Sequence, residues 1–233
     1  MSAEPVPGSK KRVALKALST SELIAEAERH LASDDLWDYV VALHFRPEAA
    51  VFQAASVWCA SNDQSLRSLG ADVLGQLGVW DRPFREQSLL ILWPLLEDSS
   101  ADVLHSTLHA LGHLNIVGEE SRFLPLLGHE SADVRYAIAC AVHSIESDLA
   151  INMLIRLSQD SDTKVRDWAT FGLGSQIEMD SEAIREALFR RLNDPDNETR
   201  GEAFVGLARR RDKRVVAPLL GELSQVMRDA SIC

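Results

Sequence analysis

The sequence predicts an all-α chain: a right-handed alpha-alpha superhelix, a solenoid of about five stacked helical hairpins behind an N-terminal helical cap. Two observations carry this. The first is a recurring pattern, a helix start followed by apolar residues at i, i+3, i+4, i+7 and i+8, which is one face of an α-helix. Between positions 160 and 177 it reads Val165, Trp168, Ala169, Gly172 and Leu173, after Asp160, Ser161 and Asp162. Imperfect copies begin at Leu66, Val103, Val134 and Thr199. The next position in each copy is Arg67, Leu104, Arg135, Arg166 and Arg200, at intervals of 37, 31, 31 and 34 residues, a period that signals a helical-repeat array. The second observation is composition: 6% aromatic residues, two Tyr and no alternating Val/Ile/Thr runs leave little from which to build strands.

In chain order, residues 1–17 combine Pro5, Pro7, Gly8 and the run Lys10-Lys11-Arg12, and are expected to form a disordered tail with a solvated basic leader. Residues 18–61 form the cap. Ser19 and Glu22 have capping-box spacing ahead of Leu23, Ile24, Ala27 and Leu31, so a first helix is expected to about Ser33. Asp34 and Asp35 start a second with Leu36, Val40 and Leu43, which Pro47 ends; Val51, Ala54, Ala55 and Trp58 mark a third. This region lacks the repeat signature and carries Trp37, Phe45, Phe52 and Trp58, as expected of a terminal element that seals the first repeat.

Residues 62–226 form the array. Asn62/Asp63, Ser99/Ser100, Ser131/Asp133, Asp160–Asp162 and Asp194–Asp196 precede the five copies and can accept hydrogen bonds from free N–H groups at helix starts. Between copies lie second apolar segments at 84–96, 121–127, 149–157, 184–192 and 215–223, giving helix pairs. One pair cannot bury its apolar faces alone, but stacked pairs share an interior. Gly172 and Gly174 read as positions of close helix approach. Pro125 is expected at a first turn, and Pro218 near a helix start or at a kink. Residues 227–233 are expected to fray.

The pattern D-x-x-V-R-x-x-A-x-x-x-L-G, as in SADVRYAIACAV and SDTKVRDWATFGLG, resembles HEAT-like repeats, specifically the short kind of phycobilin lyase subunits, over about residues 63–224. The resemblance implies a HEAT-repeat solenoid with a concave binding face. It also implies that the repeated Arg is structural, bridging to acids or helix-end carbonyls of a neighbouring repeat, with Asp102, Asp133, Asp162 and Glu198 at hand. It leaves several activities open, because function lives in sites and not in the fold.

Charge and motifs narrow these. With 24 Lys and Arg against 35 Asp and Glu, the net charge of −11 repels nucleic acid and anionic lipid. Cys59, Cys140 and Cys233 have no metal-like spacing and read as reduced thiols, hence a cytoplasmic expectation. No apolar signal core or membrane span is expected. There is no nucleophile elbow, phosphate loop or dinucleotide fingerprint, so a non-catalytic role is favoured and the enzyme question stays open.

Four constellations are candidate sites. His105, His109 and His113, with Asp102 near, stand at i, i+4 and i+8 on one helix and could offer imidazoles to a metal, but the third drifts around the helix and a partly solvated polar stripe is the favoured reading. His129-Glu130 is one His-Glu pair where a HEAT-repeat metal-dependent hydroxylase, deoxyhypusine hydroxylase, has several. The run Arg209–Arg214 is the concentrated positive patch that a HEAT-like DNA glycosylase would need. The favoured site is the inner face where Ser68, His105, Tyr136, Asp167 and Gly201 align, with Asp72, His109, Cys140, Phe171 and Val205 four positions on. Tyr136, Asp167, Thr170, Phe171, Arg200 and Glu202, with Trp168 and Gly201, are the expected partner contacts. Trp168 stands in a column that reads as core; Glu202, in the same column, must pair with an Arg or face the groove, since an unpaired buried carboxylate costs several kcal/mol. The expected function is a scaffold or adaptor for a protein or peptide, with no cofactor. A phycobilin-lyase-like or other cofactor-handling subunit is the alternative.

Overall fold

The computed structural model describes residues 15–230, and among them there are helices and turns but no strand. The contacts divide the chain into two compact units, one through Asn115 and one from Ile116. The expected tails lie largely outside the described residues. Where they are described they are ordered: residues 15–17 are helical with Leu15 buried, tied down because Arg46 donates to the Leu15 and Leu18 carbonyls. At the other end the last helix runs on to Ala230.

In the first unit, α1 (Thr20–Arg29) starts with the expected capping box. Then come α2 (Leu36–His44), α3 (Ala49–Cys59) and α4 (Gln64–Gln76), followed by α5 (Arg85–Leu92), which tightens into a 3₁₀ turn at Trp93–Glu97, and α6 (Ala101–His113). α4 packs between α3 and α6. Small residues set the approach: a Cβ added at Gly70 would lie 2.7 Å from the Ala55 carbonyl, and one at Gly75 2.6 Å from Ala110 Cα. The cap aromatics divide. Trp58 is buried with its indole N–H on Glu28, and Phe52 stacks on Phe84. Trp37 and Phe45, expected to help seal the repeat, are exposed, because Val40 and Leu43 fill the inward face of α2.

In the second unit, a 3₁₀ segment (Glu120–Leu126) leads to α7 (Ala132–Val142), α8 (Asp148–Leu157) and α9 (Thr163–Phe171), which widens to a π turn at Gly172–Gln176. α10 (Glu182–Arg191), α11 (Asn197–Arg209), a 3₁₀ turn (Lys213–Val215) and α12 (Val216–Ala230) follow. The segment at 121–127, expected as a second helix, is 3₁₀ because Pro125 lies inside it and supplies no N–H to an α-helical ladder. Pro218 sits in the first turn of α12, where its missing N–H has no intrahelical role. α7, α9 and α11 lie side by side in series, with α8 and α10 packed behind them. Val134, Ile138, Val165, Leu173 and Leu207 are fully buried between the layers.

Candidate functional site

In four of the five copies the repeated Arg ties its helix to the segment that follows. Arg67 Nε lies 2.6 Å from Asp98 Oδ2, Arg135 Nε 2.7 Å from Asp160, Arg166 Nε 3.0 Å from Asp194 and Arg200 Nε 2.7 Å from Glu222. In each case Nη1 donates to the two loop carbonyls five and six residues earlier, as from Arg166 to the Asp160 and Ser161 carbonyls. The column is structural, as the resemblance implied, but the partners differ from those expected. The acids at the helix starts are engaged elsewhere: Asp162 caps the Val165 N–H. Arg67, Arg135 and Arg166 instead meet an acid just after the next helical segment (Asp98, Asp160, Asp194), which also accepts from the N–H two residues on, while Arg200 meets Glu222 within α12. Burial pushes the Asp194 carboxyl up, but its bonds from Arg166 and the Asp196 N–H outweigh this and hold it below the usual range.

Two expected contacts therefore drop out of the site. Arg200 is committed to Glu222 on the Arg side of α11. Thr170 is fully buried, donating to the Arg166 carbonyl one turn back.

The others converge. Asp167, Trp168 and Phe171 from α9 and Glu198, Gly201, Glu202 and Val205 from α11 line an open groove of about 450 Å³. Tyr136 stands beside it on α7, its ring edge-on to Trp168 with centroids 5.8 Å apart. His143, which the sequence reading passed over, completes an aromatic cluster with centroids 6.0 Å from Trp168 and 6.2 Å from Phe171. Glu202 faces the groove and accepts from Ser175 Oγ at 2.6 Å, not from an Arg. Trp168 is half-buried and not core; its Nε1–H is enclosed without an acceptor among the described residues. Asp167 Oδ1 is likewise enclosed and accepts no hydrogen bond. Burial, reinforced by the Asp196, Glu198, Glu202 and Asp194 carboxylates, pushes the Asp167 carboxyl up to about 6. Gly201 has open space where a Cβ would stand, while Gly174 and Gly206 press the π turn against α11: a Cβ on Gly174 would lie 2.6 Å from the Glu202 carbonyl oxygen.

The remaining constellations resolve differently. His105, His109 and His113 share α6, and with Trp37, Asp72 and Ser106 line a hollow of about 310 Å³ in the first unit. Burial first, then His105 and His113, pushes His109 down to about 4, while burial raises Asp72 to about 6. Among the described residues no group of three His, Cys, Asp or Glu side chains is placed to hold a metal ion. His129 does not point outward as a ligand but accepts the Ser131 N–H at Nδ1. The basic run is largely spent within the fold. Arg209 pairs with Glu178, buried Arg210 donates to the Ile177 and Met179 carbonyls, and Arg214 grips Asp212 and Glu186 over the Phe189 ring. No helix among the described residues is long and apolar enough to cross a membrane.

The profile of the HEAT repeats family matches residues 153–230. Protein YibA of Escherichia coli strain K12 is 28% identical over 191 residues, covering 78% of this chain and 67% of that protein. The X-ray structure of YibA superposes with a TM-score of 0.74 at 25% identity, covering 96% of this chain and 82% of that one. A designed armadillo repeat protein in complex with the peptide (KR)4 gives a TM-score of 0.53 at 15% identity, over 80% of this chain and 98% of that one. A HEAT-like repeats protein from Thermococcus onnurineus NA1 gives 0.50 at 16% identity, over 82% of this chain and 80% of that one.

Proposed function

We propose that this chain, a HEAT-like helical-repeat protein, is a non-catalytic scaffold that holds a protein or peptide partner on the face shared by α7, α9 and α11. The observation that carries the reading is the groove between α9 and α11. Its aromatic and acidic side chains stand on two rigid helices, pre-positioned by the Arg–Asp pairs behind them, so binding need order little of the host. Stacked repeats offer such an extended face in general, and a designed armadillo repeat protein of related fold holds the peptide (KR)4. Half-buried Trp168 and Phe171 are the side chains expected to dominate the binding energy.

Affinity capture from the native host, comparing wild type with Phe171→Ala and Gly201→Leu, tests this. A partner retained by wild type and lost from both variants, with melting temperatures unchanged or raised for Gly201→Leu, supports the reading. An identical set of captured proteins for all three chains overturns it.

A further inference from the structure

We propose that the α9–α11 groove takes a cationic side chain of the partner, a lysine or arginine of a basic segment, between the Asp167, Glu198 and Glu202 carboxylates and the rings of Trp168 and Phe171. This rests on the partner-binding reading and names the chemistry of the occupant.

The charge inventory points there first. The groove lining carries three carboxylates and no cationic side chain. The nearest arginines on the same helices, Arg166 and Arg200, are turned to the opposite side and paired with Asp194 and Glu222. The four loop and helix-start acids nearest this groove all have partners. Asp160 and Asp194 take bidentate arginines, and Asp162 and Asp196 cap helices. Asp167 departs from this rule: its Oδ1 is enclosed and accepts nothing. A carboxylate kept in a desolvated site without its counter-charge is a cost to the fold.

The aromatic walls agree with this. Trp168 and Phe171 meet with centroids 5.2 Å apart, and a cation drawn to the carboxylates lies within reach of their ring faces. The open space over Gly201 and about 450 Å³ of groove admit an extended lysine or arginine stem. The competing occupants fare worse. An anion meets three carboxylates, and an apolar side chain would bury the Asp167 charge still further without neutralising it. A metal ion finds no three-ligand group among the described residues.

The test measures binding of a fluorescently labelled (Lys-Arg)4 peptide to the full chain by anisotropy, with a Gly-Ser peptide and an (Asp-Glu)4 peptide as controls. Asp167→Asn should weaken binding about tenfold, the effect of removing one partner of a close charge pair. Gly201→Leu, which fills the groove from an exposed helix position, should abolish it. Glu119→Gln removes an equal charge from an exposed pair with Arg122 and should leave binding unchanged. Equal affinity for wild type, Asp167→Asn and Gly201→Leu would reveal diffuse attraction to an acidic chain and overturn the proposal. So would no binding by wild type up to about millimolar peptide, the weak end of specific recognition. If Gly201→Leu loses its captured partner while the basic peptide ignores the groove, the scaffold reading stands and this one fails. If neither responds, both fail.

Discussion

Replacing Asp167 by Asn should make the protein more stable at neutral pH while weakening its grip on a basic partner. Asp167 has an ordinary carboxyl value of 3.8 and sits at about 6 in the fold. The folded state therefore holds this proton more tightly than the unfolded chain. Folding is favoured by Asp167 below about pH 4, and that advantage is lost as pH rises through about 6, after which the cost is constant. At 1.36 kcal/mol per pH decade the displacement corresponds to about 3 kcal/mol. Asp167 is only partly buried, and screening by water reduces this to about 1–2 kcal/mol. Asn keeps the shape and removes the charge. Urea unfolding followed by far-UV circular dichroism should thus show Asp167→Asn stabilised by about 1–2 kcal/mol at about pH 7.5, and equal to wild type at about pH 4. The Asp196, Glu198, Glu202 and Asp194 carboxylates face Asp167 from α11 and the loop before it, and Tyr136 faces it from α7; all five groups are present in both chains. A variant less stable than wild type at neutral pH, or an offset independent of pH, would refute the reasoning.

Other perturbations separate scaffold from site. Arg166→Ala removes the bidentate partner of Asp194, whose side chain is 1% exposed and keeps Arg191, and should cost about 1–3 kcal/mol in urea unfolding without altering partner binding; a loss confined to binding would show that the column is functional. Gly206→Ala would bring a Cβ within 2.6 Å of Gly174 Cα and should destabilise by about 1–3 kcal/mol, whereas Gly201→Ala, with open space around it, should stabilise by about 0.5–1 kcal/mol. Melting temperatures of the pair decide this, and equal shifts would contradict the packing. Burial pushes the Cys59 thiol up to about 12, so it should not react with a disulfide reagent until the protein unfolds. Rapid labelling of Cys59 in the native protein, located by mass spectrometry, would contradict that burial.

Much of the site could be read along the chain because the repeat supplies a frame. Successive residues turn by about 100° around a helix, so Asp167 and Phe171 share an azimuth with Gly201 and Val205, and Trp168 with Glu202. Thr170 and Arg200 adjoin these residues in sequence but do not share their azimuth. Thr170 falls on the Arg166 side of α9, and Arg200 holds the matching place on α11, both facing the paired layer. Glu198, one turn before Gly201, belongs to the same stripe and could have been found by that rule. His143 could not, because it meets Trp168 and Phe171 from the end of the neighbouring α7, a distance the period does not encode.

The sequence by itself determined most of the helices, their spacing, the caps at Ser19, Asp63, Asp162 and Asp196 (Ser100 and Ser131 start helices without capping them), and the arginine of four of the five repeats. These depend on local hydrogen bonding and on a periodicity that any stacked hairpin must satisfy. Only the tertiary structure decided which acid each arginine takes, and that the 121–127 segment tightens to a 3₁₀ turn around Pro125. It also decided that the basic run 209–214 is largely consumed by the carbonyls and acids around it, while Asp167 Oδ1 is enclosed without a hydrogen-bond donor among the described residues. The reason is that a charge is defined by what faces it. Its neighbours come from helices some 30 residues away, so their identity is fixed by packing and not by adjacency in the chain.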